Sequence, residues 1–228
     1  MKTRDKVFAV FGILFAIVCM RLGFWQLSRL QERRALNAEL RSRAETKPVE
    51  FNKLPKDTGG AHFRRVNLEG TYDYDHEIVI TNRTRNGSPG VNIITPLKTP
   101  ASDTAILVNR GWVYAPDAMS VDLERWREPV SMTGDGYVEN YQTRAGPSKS
   151  ATHRNAYRWL DRSGASQAFP YPLAPYFVVL IGDSTPVNVP PRVEVPPLDE
   201  GPHKSYAIQW FSFAAISIFG TILYLRRK

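Results

Sequence analysis

Cysteine is almost missing from this 228-residue chain. Cys19 has no second thiol to pair with, so an intrachain disulfide, CxxC redox chemistry and a Cys-rich metal site are all excluded. The motifs of common enzyme classes are missing too. There is no GxSxG elbow, HExxH helix, Walker loop or GxGxxG turn. No run of Lys and Arg is interleaved with aromatics as a nucleic-acid groove requires. The net charge of +8 therefore points to anionic lipid head groups rather than to nucleic acid. No internal period of about 20–50 residues repeats, which excludes a solenoid.

What the chain does have is a long apolar run at each end. Ser205 to Leu225 carries no charged residue and is followed by Arg226, Arg227 and Lys228. About 20 apolar residues at about 1.5 Å each cross a hydrocarbon core of about 30 Å. At the other end, Val7 to Met20 is uncharged, Arg21 interrupts, and Leu22 to Leu27 resumes the run. Lys2, Arg4 and Lys6 would suit a signal peptide, but no small-residue cleavage site follows; Arg21, Phe24 and Trp25 stand there instead. The expectation is an uncleaved span, with Arg21 snorkelling and Trp25 at the head-group level.

The expected organisation is a transmembrane helix at 7–27, an extramembrane domain at 28–203 and a second transmembrane helix at 205–225. Asp199 and Glu200 before the second span, with three cations after it, place both termini in the cytoplasm and the domain in the periplasm or an equivalent intermembrane space. Arg29, Arg33 and Arg34 oppose that assignment, but charge bias counts little for a long translocated domain. A short N-terminus without an Arg- and Ser-rich presequence points to a bacterial inner membrane.

After Trp25, Leu27, Leu30, Leu36 and Leu40 continue at near-helical spacing as a stalk that Pro48 stops. Strand patterns then follow at Val66–Tyr72, Glu77–Thr81, Val91–Leu97, Thr104–Tyr114, Val130–Val138 and Phe177–Ile181, with turn chemistry at Asn86-Gly87-Ser88-Pro89-Gly90. Asp117–Arg127 reads as a short helix, Tyr141–Arg158 as a polar loop or insertion, and the Pro-rich 170–202 stretch as irregular chain. The fold class is α+β: two membrane helices flanking a mainly antiparallel sheet or small barrel.

Candidate sites are few. Asp73, Asp75 and Glu77 with His76 resemble a divalent-metal cluster, but their place at a strand start reads better as a solvated loop. His62, His76 and His153 lie in polar surroundings. His203 stands at the mouth of the second span, with Tyr206 and Trp210 three and seven residues on. That grouping suits an axial ligand to a haem iron beside an aromatic helix face; equally, Tyr, Trp and His all favour the head-group level with no cofactor. Arg110 reads either as a cation beside a turn, satisfied by Asn109 or a nearby carbonyl, or as a partner contact. Gly70 and Gly111 read as backbone requirements of strand ends.

In order along the chain, several segments resemble the Surfeit locus assembly-factor family. Leu22-Gly23-Phe24-Trp25-Gln26-Leu27-Ser28-Arg29-Leu30 is similar to the family's LGxWQxxR segment. Arg65-Val66 with Gly70 and Tyr72, then Gly90 and Thr95-Pro96-Leu97, follow. Val108-Asn109-Arg110-Gly111-Trp112-Val113 resembles the VNRGWV strand, and His203, Tyr206-Ala207, Trp210 and Phe211 resemble NNHxxYAxxWF. The family's Asn-Asn pair is Gly201-Pro202 here, Lys204 replaces an apolar residue, and Gly182-Asp183-Ser184 stands where a GGP segment is usual. The resemblance implies a non-enzymatic factor that assists delivery of haem a to the catalytic subunit of cytochrome c oxidase. It implies His203 as the iron ligand, flanked by Tyr206 and Trp210, with the oxidase subunit, a haem a synthase and membrane lipid as partners and no nucleic acid. The alternative is a cofactor-free scaffold that docks those partners, with Trp112 as core packing and Arg64, Arg65 and Arg110 facing acidic groups or lipid phosphates.

Overall fold

The computed structural model describes residues 3–100, 102–182, 188–195 and 198–226. Lys2, Arg227 and Lys228, which entered the expected charge pattern, lie outside those residues, as do Asp183 and Ser184. The described residues form helices α1 (Thr3–Glu45), α2 (Thr58–Ala61), α3 (Arg162–Ala168) and α4 (His203–Arg226). The strands are β1 (Val49–Glu50), β2 (Arg65–Tyr72), β3 (Ile78–Arg85), β4 (Ser88–Thr99), β5 (Ser102–Tyr114), β6 (Ser131–Glu139), β7 (Ala156–Tyr157) and β8 (Phe177–Leu180). They fall into two compact units, one of residues 1–41 with 197–228 and one of residues 42–196.

In the first unit, α1 and α4 pair antiparallel. Both are long and apolar enough to cross a membrane. Expected span and expected stalk are one unbroken helix, because nothing between Leu27 and Glu45 breaks helical backbone. Gly12, Ala16, Cys19, Gly23, Gln26 and Leu30 recur at alternating spacings of four and three and are buried. Ala207, Ala214 and Thr221 recur at seven on α4 and are buried as well. These side chains let two backbones approach closely, the usual way apolar helices pack where lipid removes the hydrophobic drive. Ser217 donates to the Gly12 carbonyl at 2.9 Å. The outward faces carry Val7, Phe11, Ile17, Ile216 and Phe219, all exposed.

The second unit is built on a closed barrel. β2, β6, β8, β5 and β4 pair in that order, and β4 returns to β2 through Thr71 opposite Lys98 and Tyr72 opposite Leu97. Every pairing in the ring is antiparallel except β5 with β8. β3 continues the sheet from β4 through a two-residue Asn86-Gly87 turn, with Asn86 at φ 51° as such hairpins need. β1 joins β2 and β7 joins β3, each in parallel. Alternation along β2 buries Val66, Leu68 and Tyr72 with Leu97, Ile106, Val108, Val138, Val178 and Leu180.

A second apolar layer covers other strand faces. Tyr157, Leu160, Ala165 of α3, Phe169 and Leu173 pack with Ile78, Ile80, Ile94, Leu107, Tyr137 and Val179, and Tyr141 joins them. Tyr141–Arg158 is therefore not simply a polar loop: its few apolar residues lie on the sheet, and Ala156–Tyr157 pair with β3. The helix expected at Asp117–Arg127 is absent apart from a 3₁₀ turn at Glu124–Trp126. The Asp117 carboxylate accepts from the Met119 and Ser120 amides, so the side chain competes with helical backbone bonding. Gly70 and Gly111 are backbone requirements, but they lie within β2 and β5 rather than at strand ends. A Cβ on Gly70 would run into the Lys98 carbonyl, and Gly111 sits at φ 148° against the Pro190 and Pro191 carbonyls.

Candidate functional site

Two polar constructions stand out among the apolar packing. The first lies in the helix pair. Three side chains of α1 bind the chain just before α4. Arg34 grips Glu200 with two nitrogens at 2.9 Å each, Arg33 Nε donates to the Asp199 carbonyl at 3.1 Å, and Asn37 Nδ2 donates to the Leu198 and Asp199 carbonyls at 3.2 and 3.0 Å. The Arg34 hydrogen bonds hold the Glu200 carboxyl below its ordinary range. Arg33 and Arg34, which count against the expected orientation, thus have intramolecular acceptors. Gly201 then turns at φ 71°, and the Pro202 carbonyl accepts the first helical bond, from the Tyr206 amide at 3.1 Å. Gly-Pro in place of Asn-Asn makes a sharp entry into the helix.

This entry sets His203 as the first residue of α4, facing Gln26 of α1. His203 Nδ1 lies 2.8 Å from Gln26 Oε1. An amide oxygen can only accept, so Nδ1 is the donor in this contact, and in the neutral imidazole the lone pair is then on Nε2. Among the described residues Nε2 has no hydrogen-bond partner. His203 lies on the wall of an open cleft of about 400 Å³ with Arg29, Glu32, Arg33, Leu36, Asp199 and Glu200, a mixed-charge lining with one apolar side chain. Tyr206 is exposed, and Trp210 packs against Ala16, Cys19 and Ala214 with its ring 5.9 Å from Phe213. Of the three expected residues, the cavity wall carries His203 alone.

The second construction lies in the barrel, around Arg110, whose side chain is fully buried. The β4–β5 register slips where Ile93 and Ile94 face Gly111 and Asn109, and Arg110 falls in that slip. Its Nε donates to Thr95 Oγ1 at 2.8 Å, one terminal nitrogen to Glu77 Oε1 at 2.5 Å, and the other to the Trp126 carbonyl and Glu128 Oε1 at 2.6 and 3.2 Å. The Tyr72 and Tyr74 rings lie 5.5 and 5.2 Å from the guanidinium carbon. Arg192 completes the network, donating to Glu128 Oε2 at 2.6 Å and to the Arg110 carbonyl at 2.5 Å. Burial pushes the Glu77 carboxyl up, against the opposing pull of Arg110 and Thr95.

Arg110 is therefore neither beside a turn nor free for a partner or a lipid phosphate. Its signal in the sequence was its phase: two residues after Val108, it shares the inward face. Arg64 and Arg65 are also engaged within the unit, with the Gly60 carbonyl and Asp135. Trp112 is half-buried and donates to the Arg83 carbonyl at 3.1 Å.

The acidic cluster at 73–77 is not a solvated loop. Asp73 is buried, and its carboxylate meets Lys98 at 2.7 Å, Tyr171 at 3.0 Å and His76 at 3.1 Å. Burial pushes that carboxyl up, but the bonds from Lys98, His76 and Tyr171 outweigh it and bring it down to about 2. Glu77 belongs to Arg110. Among the described residues no group of three His, Cys, Asp or Glu side chains could hold a metal ion.

Comparison with known proteins gives a consistent set. The model of the SURF1 family matches residues 13–215. A SURF1-like protein of Rickettsia felis is 25% identical, covering 99% of this chain and 98% of its own length. Surfeit locus protein 1 of Gallus gallus is 24% identical over 91% of this chain and 72% of its own. The cytochrome oxidase assembly protein SHY1 of Saccharomyces cerevisiae is 28% identical over 49% of this chain and 31% of its own.

Proposed function

Because the chain belongs to the SURF1 family, we propose that it is an assembly factor for haem-copper cytochrome c oxidase that passes haem a to the catalytic subunit without itself catalysing a reaction. The name of the yeast relative supports oxidase assembly. The haem step rests on one observation: His203 has Nδ1 satisfied by Gln26 and leaves Nε2 for another group, on the wall of a cavity.

Of the donor set, only the imidazole suits haem. An iron porphyrin brings a metal that takes an axial imidazole and two carboxylates that favour cations. His203 would supply the nitrogen; the same wall carries Glu32, Asp199 and Glu200, with Arg29 paired to Glu32 at 2.6 Å and Arg33 donating to the Asp199 carbonyl at 3.1 Å, so it does not offer cations for the carboxylates. In this reading α1 and α4 span a bacterial inner membrane, both termini are cytoplasmic, and the central domain meets the oxidase subunit or the haem a synthase in the periplasm.

An absorption spectrum of the protein purified in mild detergent from cells that make haem a, beside the His203→Ala variant, tests the reading. A Soret band in the wild type that is lost in the variant is expected. No band in either, with folding intact, would leave the cofactor-free scaffold. That second reading is favoured by the packing of Trp210 into the helix seam, which accounts for this aromatic without a cofactor.

A further inference from the structure

We infer that Arg83 and Arg144, held beside Arg158 and Trp159, form a binding site for a phosphate group on the second unit. Both guanidiniums are positioned by the protein, and neither is neutralised by it.

The placement of Arg83 begins with an irregularity in β3. One extra residue lies between the pairs Ile80–Asn92 and Arg83–Gly90. This bulge puts Arg83 on the same face as Ile78 and Ile80 instead of the opposite one. That face is covered by Tyr157, Leu160 and Phe169, so the Arg83 side chain is half-buried beneath the covering segment. Its carbonyl accepts from the Trp112 indole at 3.1 Å, and its Nη2 donates to the Arg158 carbonyl at 3.2 Å. Its Nε is buried, and among the described residues neither Nε nor Nη1 has a hydrogen-bond partner.

Arg144 comes from the covering segment itself. Its guanidinium carbon lies 5.8 Å from the ring centre of Trp159, the residue next to Arg158. A guanidinium resting on a ring engages its face and keeps its N–H edges free. The side chain is exposed, and among the described residues no acceptor meets it. Burial first, and then the charge of Arg144, pull the Arg83 guanidinium down from its ordinary value. Two cations thus stand close together with no anion between them. The sequence supplies the reason: Asn140 to Leu160 holds Arg144, Lys149, Arg154 and Arg158 but no Asp or Glu. By contrast, Arg65, Arg110, Arg127 and Arg192 of the same unit each reach a carboxylate.

A half-buried cation without a counterion is unfavourable, and an oxyanion offsets that cost. The arginine fork matches phosphate oxygens in particular. A lipid headgroup and a soluble phosphate carry this same chemistry.

The test is calorimetric titration of the full chain in neutral detergent with inorganic pyrophosphate and, separately, with water-soluble dihexanoyl phosphatidic acid. Wild type is compared with Arg83→Gln, Arg144→Gln and Lys56→Gln, the last removing an exposed cation elsewhere in the unit. Saturable binding is expected, weakened about tenfold in each arginine variant and unchanged in Lys56→Gln. Binding of pyrophosphate assigns a soluble ligand, and binding of the lipid alone assigns a headgroup. Arg144→Gln removes no hydrogen bond of the fold, so it decides the matter should Arg83→Gln fail to fold. No saturable binding of either probe would overturn the site. So would an equal loss in Lys56→Gln, which would reduce the effect to the diffuse field of a chain of net charge +8.

Discussion

Replacing Arg110 with methionine should be among the most damaging single substitutions in the barrel. The change keeps an unbranched apolar stem but withdraws the guanidinium from Thr95, Glu77, Glu128 and the Trp126 carbonyl at once. Glu128 keeps Arg192. Among the described residues Glu77, 2% exposed, then keeps only the Thr95 hydroxyl as a hydrogen-bond donor, with Arg127 4.0 Å from its second oxygen. Removing one member of a buried ion pair costs about 3–5 kcal/mol, because the other charge stays behind without compensation. Against a total stability of about 5–15 kcal/mol, that is a large fraction. At about 2–4 °C per kcal/mol for a domain of this size, the melting temperature should fall by about 6–20 °C. Thermal unfolding of the full chain in detergent, followed by circular dichroism, reads the shift. The double variant Arg110→Met with Glu77→Leu removes the stranded charge and should recover part of the loss. A single variant within about 1 kcal/mol of wild type, or a double variant that melts no higher than the single one, would refute the argument.

Asp73 gives a pH dependence of definite sign. Its carboxyl is held down at about 2 in the folded state, so the stability it contributes is complete above the ordinary carboxylate range and is lost as pH falls from about 4 through about 2. Allowing for solvent screening at Lys98 and His76, the contribution is about 1–2 kcal/mol, and melting curves of Asp73→Asn should be flatter than wild type across that window. Gly111→Ala places a methyl at φ 148° against the Pro190 and Pro191 carbonyls; it should lower the melting temperature by several degrees, and an unchanged value would show that this contact relaxes freely.

Six of the eight strands were legible because each carries its own period-two alternation or β-branched run; Ile78-Val79-Ile80 and Val108 to Val113 need no distant partner to be recognised as extended. What escaped depends on contacts far apart in the chain. Barrel closure rests on two residue pairs between β2 and β4, too short a signal to stand out in either strand. Tyr157, Leu160 and Phe169 have no period because they cover the sheet with irregular chain. The helix at Asp117–Arg127 failed for the opposite reason: local polar side chains there favour turns, which composition alone does not separate from a helix start.

The site was half legible on the same logic. His203 could be picked out from residue type and its place at the start of an apolar run. Tyr206 and Trp210 could be picked out from helical spacing, but spacing does not say which face meets a neighbouring helix. Trp210 keeps step with Ala207 and Ala214 and so belongs to the seam. The same periodicity, traced on α1 through Gly12, Ala16, Cys19 and Gly23, arrives at Gln26, the polar member of an apolar stripe. Hydropathy scores that glutamine as a small defect in a membrane run, whereas the seam makes it a side chain that must find a partner on α4. The polar residue opposite is His203, 177 positions away. A seam of small residues therefore does two things here: it brings the backbones close, and it sets one amide oxygen against one imidazole, so helix packing and the orientation of the His203 ring rest on the same contact.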